Sequence, residues 1–141
     1  MGTNNKPLVR PLDGDRWRLA EQCERLVNGL HITVMRGFEW DGASIPRFAW
    51  VFVGTPADDD FLIPSLFHDA LYCSKLVSRK RADLIFYKLL RREGVGRFKA
   101  SILYRAVRVG GRKGYKRGRF SEYVTIVNTN KIKGANVRGG R

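Results

Sequence analysis

Two short stretches of this sequence hold side chains that can move a proton or hold an ion. The first is His68-Asp69-Ala70-Leu71-Tyr72. On a helix His68 and Tyr72 are four apart and share a face. Asp69 points about 100° away from His68, so the two do not pair directly. The second stretch is Arg81-Ala82-Asp83. If the helices that carry them form an antiparallel hairpin about Val77, position 72 lies level with position 83. Asp83 then reaches Tyr72, and His68 one turn further. A carboxylate on a neutral imidazole is how enzymes orient a general base, so His68, Asp69, Tyr72 and Asp83 are the catalytic candidates. The plain alternative is a buried His–Asp–Tyr network that fixes the packing of two helices. For Asp69 it is an exposed carboxylate near a helix's first turn.

Asp41-Gly42-Ala43-Ser44-Ile45-Pro46-Arg47 places a carboxylate, a hydroxyl and a guanidinium within seven residues. Asp41, Ser44 and Arg47 are candidate ligand-binding groups. Read as an ordinary turn, Asp41 and Ser44 cap backbone N–H groups and Pro46 fixes the exit. The segment lacks the glycine spacing and Lys-Ser/Thr ending of a phosphate loop. Arg112, Lys113, Lys116, Arg117 and Arg119 form a basic run, RKGYKRGR, that suits an anionic partner. Tyr104, Tyr115, Phe120 and Tyr123 stand among these cations and suit either base stacking or a core. No named nucleic-acid-binding motif is present. The two cysteines, Cys23 and Cys73, match no zinc spacing and read as buried thiols. No metal or cofactor is expected from the residues.

The charge is lopsided. Residues 1–73 carry 7 basic and 10 acidic residues, net −3, and residues 74–141 carry 20 and 3, net +17. So steep a split points to an acidic partner for the second half. At 141 residues with 43% hydrophobic content, one domain with a core is expected. No stretch approaches the roughly 20 apolar residues of a membrane span, and no signal peptide stands at the N-terminus.

The elements that must position these groups divide the chain. Leu8-Val9 is a short extended segment broken by Pro11, and Asp13-Gly14-Asp15 is a turn. Arg16–Val27 and Leu30–Phe38 flank Asn28-Gly29, a strong hairpin signal. The first arm contains AEQCERL, which also suits a helix. Glu39–Ile63 reads as a packed, aromatic-rich loop. A helix starts with Pro64 in its first turn and runs to about Leu76. A second starts after Ser78 as N-cap, and a third spans about Arg97–Val109. Glu122–Asn128 suits one strand. The fold class is α+β: an N-terminal antiparallel β-hairpin unit packed on a three-helix C-terminal part. Residues 1–111 form the domain and residues 112–141 a basic, partly flexible tail.

GFEWDGASIPRFAW (Gly37–Trp50), HDALY (His68–Tyr72), the Arg81-Ala82-Asp83 and Phe86 helix and YRAVRVGG (Tyr104–Gly111) together resemble a family of small phage and prophage proteins of unassigned function. The resemblance runs from about Trp17 to Gly111. It implies a phage-encoded protein and brings no reaction. HD..Y followed by AD..F is also similar to the helices of secreted calcium-dependent phospholipases. That similarity implies His68 as base, Asp69 as calcium ligand and Asp83 as orienter of His68. The Gly-rich calcium loop and flanking disulfide cysteines of those enzymes are missing, DGASIPR would have to replace the loop, and the interval from His68 to Asp83 is short.

The expected function is a virion-associated structural or accessory protein of tail, neck or capsid interior, made in the host cytoplasm. It docks on other virion proteins or packaged DNA through the basic half, in an oligomeric state set by the assembly. A lipid- or cell-wall-directed hydrolase with a His–Asp site is the alternative, and only that reading admits calcium. A nucleic-acid-binding accessory protein is the second alternative.

Overall fold

Asn28 and Gly29 sit at φ 53° and 73°, the left-handed pair that a two-residue hairpin requires. In the computed structural model, which describes residues 6–14, 16–42, 44–53, 59–117 and 122–130, this turn joins β3 (Cys23–Val27) to β4 (Leu30–Val34). Val27 lies opposite Leu30 and Cys23 opposite Val34. Side chains alternate along both strands, with Cys23, Val27, Leu30, Ile32 and Val34 turned into the core. On the far side of β4, β6 (Val124–Asn128) completes the sheet, Val124 opposite Val34. A second antiparallel sheet has the order β1 (Val9–Leu12), β2 (Arg16–Leu19), β5 (Glu39–Trp40).

The α+β class holds: two three-stranded antiparallel sheets are followed by helices. Details differ from expectation. The arm expected over Arg16–Val27 is two strands in different sheets, β2 and β3, and AEQCERL is not helical. Pro11 lies inside β1 rather than ending it. β1 is an edge strand, where a residue without an N–H is tolerated. The stretch expected as a loop, Glu39–Ile63, contains β5, helix α1 (Arg47–Val53) and the start of α2 (Asp59–Ser74). Its aromatic rings pack as expected, but from regular elements. Trp40 pairs with Trp17 across β5 and β2, ring centroids 5.9 Å apart.

Pro64 is inside α2 rather than in its first turn. It withdraws one N–H from the helical ladder, and Ser65 Oγ donates to the Leu62 carbonyl at 2.9 Å. The helix is buried on all sides: Phe61, Ile63, Leu66, Phe67, Ala70 and Leu71 have 5% exposure or less. One side meets the sheets, and the other meets α3 (Arg79–Arg92) and α4 (Arg97–Gly110). Ser78 caps α3 as expected, accepting from the Arg81 amide at 3.2 Å.

The segment 112–141, expected as a tail, contributes α5 (Arg112–Arg117) and β6. Tyr115 of α5 packs edge-on against Tyr72, centroids 5.4 Å apart, and its hydroxyl donates to the Val77 carbonyl at 2.9 Å. Residues 131–141 lie outside the described residues.

Candidate functional site

The burial of α2 on every side decides where its polar residues go. His68 and Asp69 project about 100° apart, yet both are buried, at 0% and 9% exposure. Asp69 is therefore not the exposed first-turn carboxylate that the sequence allowed. Because α2 begins at Asp59, Asp69 falls in its second half, against the loop before α1.

His68 is held from both ring nitrogens. Its Nε2 lies 2.8 Å from Asp83 Oδ1, and its Nδ1 lies 2.8 Å from Ser44 Oγ. The Tyr72 hydroxyl donates to the same Asp83 oxygen at 2.6 Å. On the other oxygen, Oδ2, Arg108 donates from Nη1 at 2.9 Å, and Arg79 Nη1 stands 3.6 Å away. The α2–α3 hairpin thus brings His68, Tyr72 and Asp83 together. Rings pack the imidazole in place, Tyr72 with its centroid at 4.1 Å and Phe86 at 4.7 Å.

Ser44 departs from its expected role. Its hydroxyl does not cap a backbone amide; it bonds His68 Nδ1 and Asp69 Oδ1. Asp69 Oδ2 accepts from the Gly42 amide at 2.9 Å, so the carboxyl, not the serine, ties down the loop. The loop closes on itself through Ile45 N–H donating to the Gly42 carbonyl at 3.0 Å, with Gly42 at φ 72°. Ser44 and Asp69 reach the wall of a cavity of about 400 Å³, with Trp40, Asp41, Tyr72 and Cys73 also in its lining. A wider hollow of about 870 Å³ shares Phe38, Glu39 and Cys73 with it and extends to Tyr123.

The electrostatics separate the two buried carboxyls. Burial pushes Asp83 up, but the bonds from His68 and Tyr72 and the charges around it outweigh this and hold it below the usual carboxylate range. Burial pushes Asp69 up, and its contacts with Ser44 and the Gly42 amide do not offset it. Burial, then the bond to Asp83, pushes the Tyr72 phenol up.

The remaining candidates do not join this cluster. Asp41 is exposed at the cavity rim, and Arg47 is exposed at the start of α1. Arg112 and Lys113 are exposed on α5, the side chains of Lys116 and Arg117 are not described, and Arg119 lies outside the described residues. Cys23 is a buried free thiol, whereas Cys73 is only half-buried. The groups that sequence reasoning missed are Arg79 and Arg108. Arg79 had a signal, since it stands four residues before Asp83 on one helix face. Arg108 had none, because it reaches Asp83 from α4 through tertiary packing alone.

The donor set does not fit calcium. That ion takes 6–8 oxygen ligands, whereas one Asp69 oxygen faces the Gly42 N–H and the other the Ser44 hydroxyl. Among the described residues, no group of three or more His, Cys, Asp or Glu side chains is placed to hold a metal.

Against known proteins, the family described as "Protein of unknown function (DUF1353)" matches residues 17–107, more than half of the chain. The chain belongs to the DUF1353 family. Its matched span carries Ser44, His68, Asp69, Tyr72 and Asp83 and ends at Val107, one residue before Arg108. Among relatives, "Uncharacterized protein y4jT" of Sinorhizobium fredii (strain NBRC 101917 / NGR234) is 36% identical over 84 residues, 60% of this chain and 25% of that protein. "Uncharacterized protein y4iH" of the same strain is 34% identical over 91 residues, 63% of this chain and 38% of that protein. The chain thus spans well under two thirds of either relative's length. No solved structure matches.

Among the described residues, no helix is long and apolar enough to cross a membrane.

Proposed function

We propose that this chain hydrolyses acyl bonds, ester or amide, with Ser44 as nucleophile, His68 as general base and Asp83 as the residue that orients His68. One observation carries the reading: a hydroxyl, an imidazole and a buried carboxylate in hydrogen-bonded series, 2.8 Å and 2.8 Å, with Ser44 in the lining of a cavity. Such a series is recognised by geometry and roles rather than by fold. Asp83 fixes the Nε2–H tautomer, which leaves the Nδ1 lone pair facing Ser44. Ser44 Oγ attacks the substrate carbonyl as its proton passes to Nδ1. That proton then leaves with the departing alcohol or amine. Water, deprotonated by Nδ1, cleaves the acyl-serine and restores the hydroxyl.

The resemblance to phage and prophage proteins supports an envelope substrate, a lipid or the cell wall of a bacterial host. It also supports carriage on a virion. The docking reading rests on a separate observation: Lys80, Arg81, Arg91, Arg92, Arg97, Lys99 and Arg105 are exposed on α3 and α4, a surface suited to acidic virion subunits or packaged DNA. The docking surface and the hydrolytic site occupy different residues, so one protein can hold both.

A fluorophosphonate probe followed by intact mass spectrometry tests the hydrolase. The expected result is one adduct on Ser44, absent in Ser44→Ala and His68→Asn, with loss of p-nitrophenyl ester turnover in both. Folded protein that takes no adduct and turns over no ester would sink the reading.

A further inference from the structure

Asp69 has no part in the series Ser44–His68–Asp83, yet it touches Ser44 Oγ, and its contacts restrict where the protons can be. Asp83 receives Tyr72 O–H, the Arg108 guanidinium and His68 Nε2. A carboxylate facing an arginine has only acceptors, so Nε2 must carry the hydrogen. In a neutral imidazole Nδ1 is then an acceptor, and Ser44 must turn its single hydrogen toward it. Nothing on Ser44 remains to donate to Asp69. Asp69 Oδ2 already accepts from the Gly42 amide. The bond between Ser44 Oγ and Asp69 Oδ1 therefore needs a hydrogen on Asp69.

One other distribution holds the same number of protons. His68 is an imidazolium donating from Nδ1, and Ser44 donates to an Asp69 carboxylate. That state adds two formal charges, on His68 and Asp69, in a region where His68 and Asp83 are 0% exposed and Asp69 is 9% exposed, and buried charge is costly. The charged and titratable groups facing Asp69 are few. His68, Tyr72 and Cys73 come from its own helix, Asp41 from the loop, and Glu39 from β5 and Arg16 from β2 line the same cavity. Asp41 opposes a second carboxylate. Burial raises Asp69 in the same direction.

We propose that Asp69 is a neutral carboxylic acid that donates to Ser44 Oγ and so fixes the serine hydroxyl on His68 Nδ1. Asp69 is then a positioning residue, and its value lies in a donor rather than a charge. The catalytic consequence rests on the hydrolase reading; the protonation state does not.

Asparagine supplies the same pattern, an N–H toward Ser44 and a carbonyl toward the Gly42 amide. Asp69→Asn is expected to keep ester turnover within about threefold of the wild type. Asp69→Leu, with the same branching at Cγ and no donor, is expected to lose about tenfold or more in kcat, the rate equivalent of one missing hydrogen bond. The chain has two histidines, so a His31→Gln background leaves His68 alone in a ¹⁵N imidazole spectrum. At pH 7 that spectrum is expected to show the Nε2–H tautomer with Nδ1 unprotonated, unchanged in Asp69→Asn. A doubly protonated ring that loses one hydrogen in Asp69→Asn would overturn the proposal. So would turnover lost equally in Asp69→Asn and Asp69→Leu when both fold. If the wild type turns over no ester, the hydrolase reading fails and takes the positioning role with it. The spectrum still decides the neutral acid in that case.

Discussion

Replacing Asp83 with asparagine keeps the size of the side chain and removes its charge. The native carboxylate accepts from three donors: His68 Nε2 at 2.8 Å, the Tyr72 hydroxyl at 2.6 Å and Arg108 Nη1 at 2.9 Å. An amide has one oxygen. If that oxygen stays on His68 and Tyr72, the NH2 group faces the Arg108 guanidinium, and a charge-assisted bond becomes a donor–donor contact. Such a bond contributes about 1.5–3 kcal/mol. Breaking a fully buried ion pair costs more, about 3–5 kcal/mol, but Arg108 is about 30% exposed and can turn to water, so the lower range applies. For a chain of this length the loss corresponds to a melting-temperature drop of roughly 5–10 °C. The pH dependence follows from the depressed Asp83 value. The unfolded carboxyl titrates near its ordinary 3.8, and the folded one below it. The stabilisation is therefore present above 3.8 and is lost as pH falls through the folded value. Thermal melts by circular dichroism at several pH values are the assay. The gap between wild type and Asp83→Asn should be full at pH 7 and shrink in acid. A drop under 1 °C at pH 7, or a gap that widens in acid, would refute the reasoning.

Gly111→Ala should destabilise the site from outside it. A Cβ there would stand 2.5 Å from the Tyr72 hydroxyl and 2.5 Å from the Val107 carbonyl, so the Tyr72 ring and the end of α4 must shift apart. A cost of about 1–3 kcal/mol is expected, read as a lower urea midpoint; an unchanged midpoint would show that Tyr72 yields without loss. A cut after Gly111 removes β6, which pairs with β4 from Val34 to Leu30. The truncated chain should lose cooperative unfolding, so the docking surface is better tested by reversing Arg97, Lys99 and Arg105 together. Full virion incorporation of that variant would exclude α4 as the docking face.

Parts of this arrangement were legible because they depend on short-range geometry. Asn28-Gly29 requires positive φ at both positions and so declares its hairpin. Ser78 declares the start of α3. His68, Tyr72 and Asp83 meet because two antiparallel helices joined near Val77 can meet in few registers. Other parts depend on what lies across the core. Ser44 looked like a turn cap because seven residues of sequence show only the turn. Its partners are 24 and 25 residues away. Pro64 looked like a helix start because propensity puts proline there, but α2 is buried on every side and tertiary packing carries it through. After Gly111 the strand over Glu122–Asn128 was legible, with Val124, Ile126 and Asn128 turned more inward than Thr125 and Val127, but its place beside β4 and the packing of α5 on Tyr72 depend on partners far away in sequence.

The same polar cluster can be divided by what each bond is for. Asp83, with Arg108, Tyr72 and Arg79, ties α2, α3 and α4 together at one point, and Arg79 adds bonds to the Val107 and Arg108 carbonyls at 3.1 Å each. Helix packing accounts for all of that. It does not account for Ser44. A core with only Asp83 and Tyr72 to satisfy could place apolar residues at 44, 68 and 69 together and lose little, because replacing both partners of a buried bond by apolar groups is nearly neutral. Ser44 instead lines the cavity, its hydroxyl bonded to the one imidazole nitrogen that Asp83 leaves open. Substitutions at Asp83 therefore change stability and chemistry together, whereas Ser44→Ala removes one hydroxyl and leaves the Asp83 bonds in place. Ser44→Ala leaves His68 Nδ1 and one Asp69 oxygen without a partner, so it should cost about 1–3 kcal/mol, a melting-temperature drop of roughly 3–10 °C that still leaves a folded protein, while ester turnover falls to background. If stability collapses with turnover, Ser44 is a packing residue and the chemistry must be sought elsewhere.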